Sequence, residues 1–373
     1  MKFVLAKKGG KYKLCKNKYR VLVCGVGFGQ FYIKAIENMN EKFQIAGILS
    51  KGSELSQSYA EKHKMPIYTT LNDVNLNEID LACVVIGSTL IGGVGSDLVK
   101  QLLNNGINVI QEQPVHLKEY IEFLKLSREN SCFYKLNTFY PNLKSVDTFL
   151  SLSKKLNKLS KIRFISAQCS VHVLFPLIDI LGRALGGLKP YEFRKISTQN
   201  IESPFEIIEG YINDIPICIS VQNQMTAKNP DNYMLLMHKI MFVTNSGNLT
   251  LSGTNGPIIW ESCLDKPQDK NGKFNLEESN EFSKLKTFEI TEDNEETYSS
   301  MMKLSWVHSI SKSIIEIINC IDSKKANIVE QQYLISAIEA WGELSRELGQ
   351  CRTIQPYKKN AIKISDLRGG KNE

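Results

Sequence analysis

The sequence predicts an α/β chain in which a doubly wound parallel sheet is followed by an α+β domain with a large, mostly antiparallel sheet. Two observations favour this fold class. Apolar strand-like segments alternate with helical segments as far as residue 138, which is typical of βαβ units. Beyond residue 142 the alternation stops, and strand-like segments are joined by turns such as Asn213-Asp214 and Asn245-Ser246-Gly247. Those turns predict antiparallel pairs.

The first strand leads into a glycine-rich turn. Val21 to Cys24 are apolar and predict a buried strand, and residues 28–39 carry apolar side chains at helical spacing. The glycines between them follow a GxGxG pattern rather than a full GxGxxG, and a tight turn without a ligand has the same local pattern. A turn at a helix N-terminus is nevertheless typical of Rossmann dinucleotide-binding domains. The residues expected to meet the pyrophosphate are Gly25, Gly27, Phe28, Gly29 and Gln30.

The next elements support this interpretation because they continue the alternation at the right distances. Ser53 is a predicted N-cap, and Gly106 a predicted helix stop. The predicted strands are 43–49, 79–86, 107–111 and 132–138, and the predicted helices are 53–63, 96–106 and 117–129.

The tip of the second strand indicates which nicotinamide cofactor is bound. NAD-binding chains usually carry Asp or Glu there for the ribose 2′-hydroxyl. Here Ser50 and Lys51 follow the strand, and no carboxylate occurs before Glu54. A hydroxyl and an ammonium suit a 2′-phosphate, so the sequence predicts NADPH as the cofactor. Further residues expected at the cofactor are Ser53, Ser88, Thr89, Glu112 and Gln113.

Length and composition agree with a two-domain enzyme. The chain has 373 residues, of which 42% are hydrophobic, and no apolar run approaches the roughly 18–20 residues that span a bilayer. The apolar stretch Phe3 to Ala6 is too short for a signal-peptide core, so we expect a cytoplasmic protein without a membrane partner. The nine cysteines form no CxxC pair, which favours reduced thiols and no metal site.

The net charge of +7 is concentrated at the N-terminus. Eight of the 46 basic side chains lie within residues 1–20, which contain no acidic one, so the rest of the chain carries 38 basic and 39 acidic residues. A nearly neutral body argues against a nucleic-acid partner. Residues 1–18 are therefore interpreted as a basic arm or edge hairpin, turned at Gly9-Gly10, with docking to an acidic partner as the alternative.

The predicted domain boundary lies at Tyr140-Pro141. Residues 19–141 form the Rossmann domain, residues 142–357 the α+β substrate and oligomerisation domain, and residues 358–373 a frayed tail. Residues 265–285 are polar and predict a mobile excursion. The elements predicted in the second domain are strands at 161–170, 195–197, 205–211, 215–225, 234–244 and 248–252, and helices at 174–185, 299–321 and 328–348.

The sequence resembles the glucose–fructose oxidoreductase and inositol dehydrogenase superfamily and, within it, the thiazolinyl imide reductases of siderophore biosynthesis. The resemblance covers roughly residues 19–263. It is carried by the segments Gly25-Val-Gly-Phe-Gly29, Gly47-Ile-Leu-Ser-Lys-Gly-Ser53, Gly106-Ile-Asn-Val-Ile-Gln-Glu-Gln-Pro-Val-His116, Asn137-Thr-Phe-Tyr-Pro141, Asn229-Pro-Asp231, Met237-His238 and Gly256-Pro-Ile-Ile-Trp260.

The resemblance implies a specific reaction. Such an enzyme transfers hydride from NADPH to the C=N carbon of a thiazoline, giving a thiazolidine, on an intermediate that a nonribosomal peptide synthetase carrier domain presents as a phosphopantetheinyl thioester. An exposed antiparallel sheet face often dimerises in this fold, so the resemblance suggests a homodimer, although the sequence leaves the oligomeric state open. Because a neutral imine accepts hydride poorly, a positioned acid should protonate the ring nitrogen and contribute about 10²–10⁴-fold. The resemblance assigns this role to Tyr140 and to a histidine at the position of Gln113.

Two departures from the family pattern leave the proton donor open. Gln113 replaces that histidine, and the lysine of the wider superfamily, so its amide can only hydrogen-bond the nicotinamide or the substrate. His116 is the other candidate acid, against a packed or turn-capping role, and His238 is interpreted as a core histidine that could alternatively line the site.

The second departure concerns the polyol-oxidising members. The superfamily's Asp-x-x-x-His pair becomes Asp179 followed by Arg183, which weakens a polyol oxidase interpretation. The alternatives left open are another NADP-dependent imine, carbonyl or polyol oxidoreductase of this fold, and a non-catalytic NADP-sensing protein.

Overall fold

The computed structural model describes residues 4–8, 11–15, 18–86, 94–196, 203–227, 233–291 and 296–368, with side chains from residue 18 onward except at Val94. It confirms the predicted fold class: a parallel sheet is followed by a large, mostly antiparallel one. At the N-terminus, β1 (Val4–Lys8) and β2 (Lys11–Cys15) pair antiparallel with Lys8 opposite Lys11 and form a separate two-stranded sheet.

The first large sheet has six strands, all parallel, in the order β5-β4-β3-β6-β7-β8. This is the strand order of a doubly wound dinucleotide-binding domain, whose ligands bind at the carboxyl ends of the strands where the order reverses. The strands are β3 (Tyr19–Cys24), β4 (Phe43–Leu49), β5 (Ile67–Tyr68), β6 (Leu81–Val84), β7 (Asn108–Glu112) and β8 (Tyr134–Asn137). The helices are α1 (Gly29–Asn38), α2 (Glu54–His63), α3 (Val94–Asn104) and α4 (Leu117–Glu129).

The second large sheet has eight strands in the order β10-β11-β12-β9-β14-β15-β16-β17. Its strands pair antiparallel except β12 with β9, which are parallel. The strands are β9 (Ile162–Ser170), β10 (Tyr191–Ile196), β11 (Phe205–Ile212), β12 (Ile215–Gln222), β14 (His238–Thr244), β15 (Gly247–Leu251), β16 (Ile258–Ser262) and β17 (Phe288–Ile290). A separate two-stranded pair consists of β13 (Gln224–Thr226) and β18 (Arg352–Ile354).

Helices cover one face of this sheet and leave the other open. In β9, for example, Ile165, Ala167 and Cys169 are buried, whereas Phe164 and Gln168, which point to the other side, are exposed. The helices are α5 (Lys144–Leu159), α6 (Leu174–Leu185), α7 (Tyr298–Ser300), α8 (Val307–Ser323), α9 (Ile328–Leu348) and α10 (Ile364–Leu367).

Several elements differ from the sequence prediction. Helix α5 was not predicted, and neither were strands β16, β17 and β18. The predicted helix 299–321 is interrupted, because Met301–Trp306 form a π-helical segment ahead of α8. The strand predicted at 195–197 lies four residues earlier, at Tyr191–Ile196.

Two further findings concern the residues that the structure describes. None of their helices is both long enough and apolar enough to cross a membrane. The eight cysteines with described side chains are free, and no group of His, Cys, Asp and Glu in this part of the chain would suit a metal ion.

Candidate active site

The glycine-rich turn has the geometry that a dinucleotide needs. Gly25 adopts a φ of +94°, and a Cβ there would lie 2.7 Å from the Val85 carbonyl oxygen, so only glycine fits. Gly27 faces open space, which leaves the backbone accessible to a ligand. A Cβ at Gly29 would touch Val23 Cγ1 at 3.4 Å, so α1 packs closely on β3. Gly25 thus permits the tight turn, Gly27 leaves room for the ligand, and Gly29 allows α1 to pack closely on β3.

The N-terminus of α1 is open to an anion. Phe28 is its N-cap residue, no side chain caps the helix, and its first turn contains no acidic residue. Gln30 donates from Nε2 to the Gly27 carbonyl oxygen at 3.3 Å and so supports the turn. The positive end of the helix dipole favours a phosphate here, although the Gln30 and Phe31 N–H groups already bond to the Val26 and Phe28 carbonyl oxygens. The residues present therefore fit the pyrophosphate of a nicotinamide dinucleotide.

The tip of β4 forms a small polar turn that precedes α2. Ser50 Oγ accepts from the Gly52 N–H at 3.2 Å, and the Ser53 hydroxyl caps α2 by accepting from the Ser56 N–H at 3.4 Å. Lys51 is exposed and forms no salt bridge with any residue that the structure describes. Ser88 and Thr89, the other hydroxyls predicted at the cofactor, lie outside the described residues.

Glu112, at the end of β7, is the centre of a buried network that the sequence analysis did not predict. Its Oε2 accepts from the Tyr32 hydroxyl at 2.6 Å and from Asn137 Nδ2 at 3.0 Å. Burial raises the pKa of Glu112 to about 7, although these hydrogen bonds and one from the Gln113 N–H favour the ionised form. The carboxyl group predicted to contact the cofactor thus faces the protein interior.

Asn137 connects this network to the segment that carries Tyr140. Its Oδ1 accepts from Ser313 Oγ on α8 at 2.7 Å and from the Phe139 N–H at 3.1 Å. Ser309, also on α8, donates to the Phe139 carbonyl oxygen at 2.6 Å. Helix α8 of the second half therefore fixes the backbone just before Tyr140.

Phe139 is held in a strained conformation. Its φ of 61° and ψ of −61°, with the Tyr140 N–H bonded to the Thr138 carbonyl oxygen at 2.6 Å, form a γ-turn of the rare positive-φ kind. A non-glycine residue in such a conformation costs about 1–3 kcal/mol and persists only where its surroundings impose it. The Asn137 and Ser309 hydrogen bonds supply that constraint and set the direction of the Tyr140 side chain.

Tyr140 is buried and packs edge-on against His238, with 5.1 Å between ring centroids. His238 donates from Nε2 to the Val173 carbonyl oxygen at 3.0 Å, and its Nδ1 accepts from the Thr254 hydroxyl at 3.0 Å. Burial lowers the pKa of His238 to about 4. The histidine is neutral near pH 7 with both ring nitrogens bonded, so it is not a proton donor; it is buried like a core histidine and also lines the larger cavity described below.

The other two predicted catalytic residues lie beside Pro114. The Gln113 N–H donates to the Asn137 carbonyl oxygen at 3.2 Å, whereas its half-buried side-chain amide has no partner among the described residues and can meet a ligand. His116 precedes α4 and stacks on Trp341 of α9, with 5.6 Å between centroids, and its side chain does not cap the helix. The ring of His116 therefore packs on Trp341, which is one of the two structural roles considered for it beside that of an acid.

The Asp179 and Arg183 pair forms a buried ionic network on α6. Arg183 Nε donates to Asp179 Oδ1 at 2.7 Å and Nη1 to Glu330 Oε2 at 3.2 Å, and its guanidinium lies 4.8 Å from the Tyr333 ring centroid. Burial raises the pKa of Asp179 while the Arg183 charge opposes that rise. Arg183 holds the Asp179 carboxylate in a salt bridge, which is a structural arrangement and not an acid/base pair.

An aromatic cluster joins the glycine-rich turn to the second half of the chain. Trp306, the last residue of the π-helical segment, packs against Phe28, Phe31 and Phe139 with centroid distances of 5.9, 5.2 and 5.4 Å. Its indole Nε1 is buried and has no hydrogen-bond partner among the described residues. π-Helical turns often mark functional sites. The one sequence signal was a tryptophan in an otherwise helical stretch, which does not reveal this contact.

Two adjoining cavities lie beside Tyr140, in the second half of the chain. The larger, about 530 Å³, is lined by Met237, His238 and Met301, among others. The smaller, about 410 Å³, is lined by Lys144 and Thr148 of α5, among others. Both are lined by Asn255, Gly256, Pro257 and Glu296, so they form one groove. Tyr140 is not among the lining residues of either cavity, but it packs on His238, which lines the larger one.

Comparison with protein families agrees with the two halves of the fold. Residues 19–138 match the oxidoreductase family with an NAD-binding Rossmann fold. Residues 160–261 match the C-terminal domain of thiazolinyl imine reductase, Irp3-like. The chain therefore combines the Rossmann domain of this oxidoreductase family with an Irp3-like C-terminal domain. A comparison of this Irp3-like oxidoreductase with curated proteins gave no match.

Solved structures share the fold of this Irp3-like chain at low identity. GenD2 from gentamicin A biosynthesis, in complex with NAD, is 9% identical with a TM-score of 0.61 over 92% of this chain and 97% of its own. The UDP-N-acetylglucosamine 3-dehydrogenase from Acidithiobacillus ferrooxidans is 10% identical with a TM-score of 0.58 over 89% and 98%. An oxidoreductase from Thermotoga maritima is 11% identical with a TM-score of 0.62 over 89% and 97%. These likenesses extend over nearly the whole chain and establish the fold.

Proposed function

We propose that the protein reduces the C=N bond of a thiazoline to a thiazolidine with NADPH, on a siderophore-type intermediate tethered to a nonribosomal peptide synthetase carrier domain. The observation that carries the proposal is the match of residues 160–261, which supply most of the lining of the larger cavity, to a thiazolinyl imine reductase domain. The choice of NADPH is supported by Ser50 and Lys51 at the tip of β4, where a carboxylate would repel a 2′-phosphate.

When bound, NADPH supplies the hydride that forms the new C–H bond. The chain's own residues then have two tasks, which are to hold the ring and to deliver a proton as the C=N π bond breaks. Tyr140 gives its hydroxyl proton to the ring nitrogen and is reprotonated by solvent, so no nitrogen anion persists. Gln113 positions the reactants through its unpartnered amide. His116 is the second candidate donor, although its ring is stacked on Trp341.

The same proposal covers assembly and location. The open face of the eight-stranded sheet exposes Phe164 and Ile196, which suits a homodimer formed through this face. The free thiols fit a cytoplasmic protein. Light scattering coupled to gel filtration will measure the mass, and a monomer at micromolar concentration would rule out the homodimer.

The test is NADPH oxidation with a 2-aryl-thiazolinyl pantetheine thioester, with wild type and Tyr140→Phe compared. We expect turnover by the wild type and a loss of about 10²-fold or more in the variant. Tyr140→Phe keeps the packing on His238, so its NADPH affinity should be unchanged. Full activity in the variant would remove Tyr140 as the donor. NADPH binding without turnover of any imine by the wild type would contradict the enzyme and favour a sensor.

The polyol alternative is tested in the same assay. With Asp179 and Arg183 in a structural salt bridge, we expect no NADP-dependent oxidation of inositol or aldose substrates. Oxidation of any member of such a panel at a rate above that of thiazoline reduction would replace the proposed reaction.

A further inference from the structure

A basic surface covers the outer side of α5 and the start of β9. Its members are all exposed, and none forms a salt bridge within the described part of the chain: Lys154, Lys155, Lys158, Lys161 and Arg163. No Asp or Glu occurs in residues 148–178, so no acidic neighbour in the chain offsets them. This is a second concentration of positive charge, separate from the N-terminal arm. We call these five residues the α5 basic face.

The α5 basic face is continuous with the groove beside Tyr140. The inward side of α5 is formed by its buried residues Val146, Phe149, Leu150, Ser153 and Leu156. At about 100° per residue, Lys144, Thr148, Lys155 and Leu159 therefore follow one another along the outward side. Lys144 and Thr148 line the groove, whereas Lys155 lies 11 residues beyond Lys144, roughly 16 Å along the helix at 1.5 Å per residue.

The centre of this surface is apolar. Leu159, at the end of α5, is 86% exposed and lies between Lys158 and Lys161 in the sequence. An exposed leucine among unpaired cations is typical of a contact surface whose charged rim steers a partner and whose apolar centre anchors it. The partner that this pattern fits is a small protein with a negative surface and an apolar spot at its middle.

We propose that the α5 basic face is the docking surface for an acidic carrier domain that delivers its substrate into the groove. The inference rests on the proposed function, because a tethered substrate needs a protein surface beside the groove mouth. The outward side of α5 leads directly from the docked partner to Lys144 and Thr148, a path that an extended pantetheine arm can follow towards Tyr140. Opposite charges accelerate encounter and fix the orientation of the partner.

The features favour a protein over a nucleic acid as the occupant. Single-stranded nucleic acids are bound by aromatic side chains interleaved with basic ones. The one aromatic residue of α5, Phe149, is buried on its inward side, and Phe164, which follows Arg163, lies on the open face of the eight-stranded sheet. Outside residues 1–20 the chain carries no net positive charge, so the surface is a local feature suited to one contact.

The experiment uses the full chain and a phosphopantetheinylated carrier domain from a thiazoline-forming synthetase. The variant is Lys155→Glu/Lys158→Glu. The control is Lys270→Glu/Lys273→Glu, which makes the same charge change at the same spacing on exposed residues. Activity is measured on the carrier-bound thiazoline and on the free pantetheine thioester. We expect the α5 variant to lose about tenfold or more in kcat/KM on the carrier-bound substrate, through KM, because rim charges act mainly on association.

The controls separate docking from catalysis. Activity on the free thioester should stay within twofold of wild type, and the loss on the carrier-bound substrate should shrink at high salt, where the wild type also slows. Equal activity of the α5 variant and the control on the carrier-bound substrate would overturn the proposal. An equal loss on both substrates would also overturn it, because the charges would then act on the groove itself.

A binding measurement keeps the test independent of the chemistry. If no thioester is reduced, the proposed function fails, and docking is then tested by fluorescence anisotropy of the labelled carrier domain. Loss of binding in Lys155→Glu/Lys158→Glu but not in the control supports docking, and unchanged affinity overturns it. Loss of RNA binding with unchanged carrier affinity would identify a nucleic-acid surface and overturn the proposal as well.

Discussion

Replacing Glu112 by glutamine tests the buried network that supports Tyr140. Burial raises the pKa of Glu112 from 4.5 to about 7 in the folded protein. As pH rises, the Glu112 carboxyl therefore loses its proton at a lower pH in the unfolded chain than in the folded protein. The contribution of Glu112 to stability is fully present below pH 4.5 and is lost as pH rises to 7. A difference of about 2.5 units corresponds to about 3 kcal/mol, an upper value because part of the side chain still reaches solvent.

The assay is urea unfolding of wild type and Glu112→Gln between pH 4.5 and 8. We expect wild type to lose about 2–3 kcal/mol more of its unfolding free energy than the variant does across this range. The amide oxygen of glutamine can still accept from Tyr32 and Asn137, so the packing is kept. Glu61→Gln, at an exposed site, is the control and should follow wild type. An unchanged pH dependence in Glu112→Gln would refute the assignment of a buried, protonated carboxyl.

Three further predictions concern the cofactor, the aromatic cluster and His238. Lys51→Glu should weaken NADPH binding about tenfold with little effect on NADH binding, whereas the control Lys62→Glu, at an exposed position on α2, should change neither affinity. Fluorescence titration measures both affinities. An unchanged preference for NADPH over NADH in Lys51→Glu would show that Lys51 does not contact the 2′-phosphate. We expect Trp306 Nε1, which is buried without a partner among the described residues, to donate to a bound ligand. Trp306→Phe should then raise the NADPH Kd or the substrate KM roughly 2–10-fold, the worth of one hydrogen bond; unchanged constants would contradict that contact. The folded-state pKa of His238 is lowered from 6.5 to about 4, so the free energy of unfolding should fall by about 3 kcal/mol as pH falls through that interval. Urea unfolding measures this loss, and His238→Gln should abolish it. An unchanged acid profile in the variant would contradict a buried neutral His238.

Local sequence patterns predicted the elements whose ends carry a local signal. The bounds of β4 and α4 are those predicted, and α2 begins after the predicted cap Ser53, because each is an apolar or periodic run between turn residues. Helix α5 was missed although its buried positions have helical spacing, since four lysines and four serines over 144–160 dilute the apolar signal. The π-helical segment before α8 leaves no trace in the periodicity.

Sequence motifs predicted the cofactor part of the candidate site but not the hydrogen-bond network around Asn137, and the reason is physical. The glycine-rich turn and the tip of β4 act through their own backbone and adjacent residues, so a motif describes them. Asn137 works differently, because its partners Tyr32, Glu112 and Ser313 lie 105, 25 and 176 residues away in the chain. Such contacts depend on how the sheet and α8 meet, and no local pattern encodes that meeting.

Gln113 stands where the family resemblance implies an ionisable side chain, and the residue before it, Glu112, is ionisable. The neighbouring carboxyl, Glu112, is turned into the interior, where Asn137 joins it to the strained Phe139 turn that aims Tyr140. The protein thus holds a neutral amide where a ligand can reach it and keeps its titrating carboxyl behind the tyrosine. Ionisation of Glu112 strengthens the hydrogen bond that it accepts from Asn137, the same side chain that accepts from the Phe139 N–H. The position of Tyr140 and the protonation of Glu112 are therefore linked through a single asparagine, Asn137.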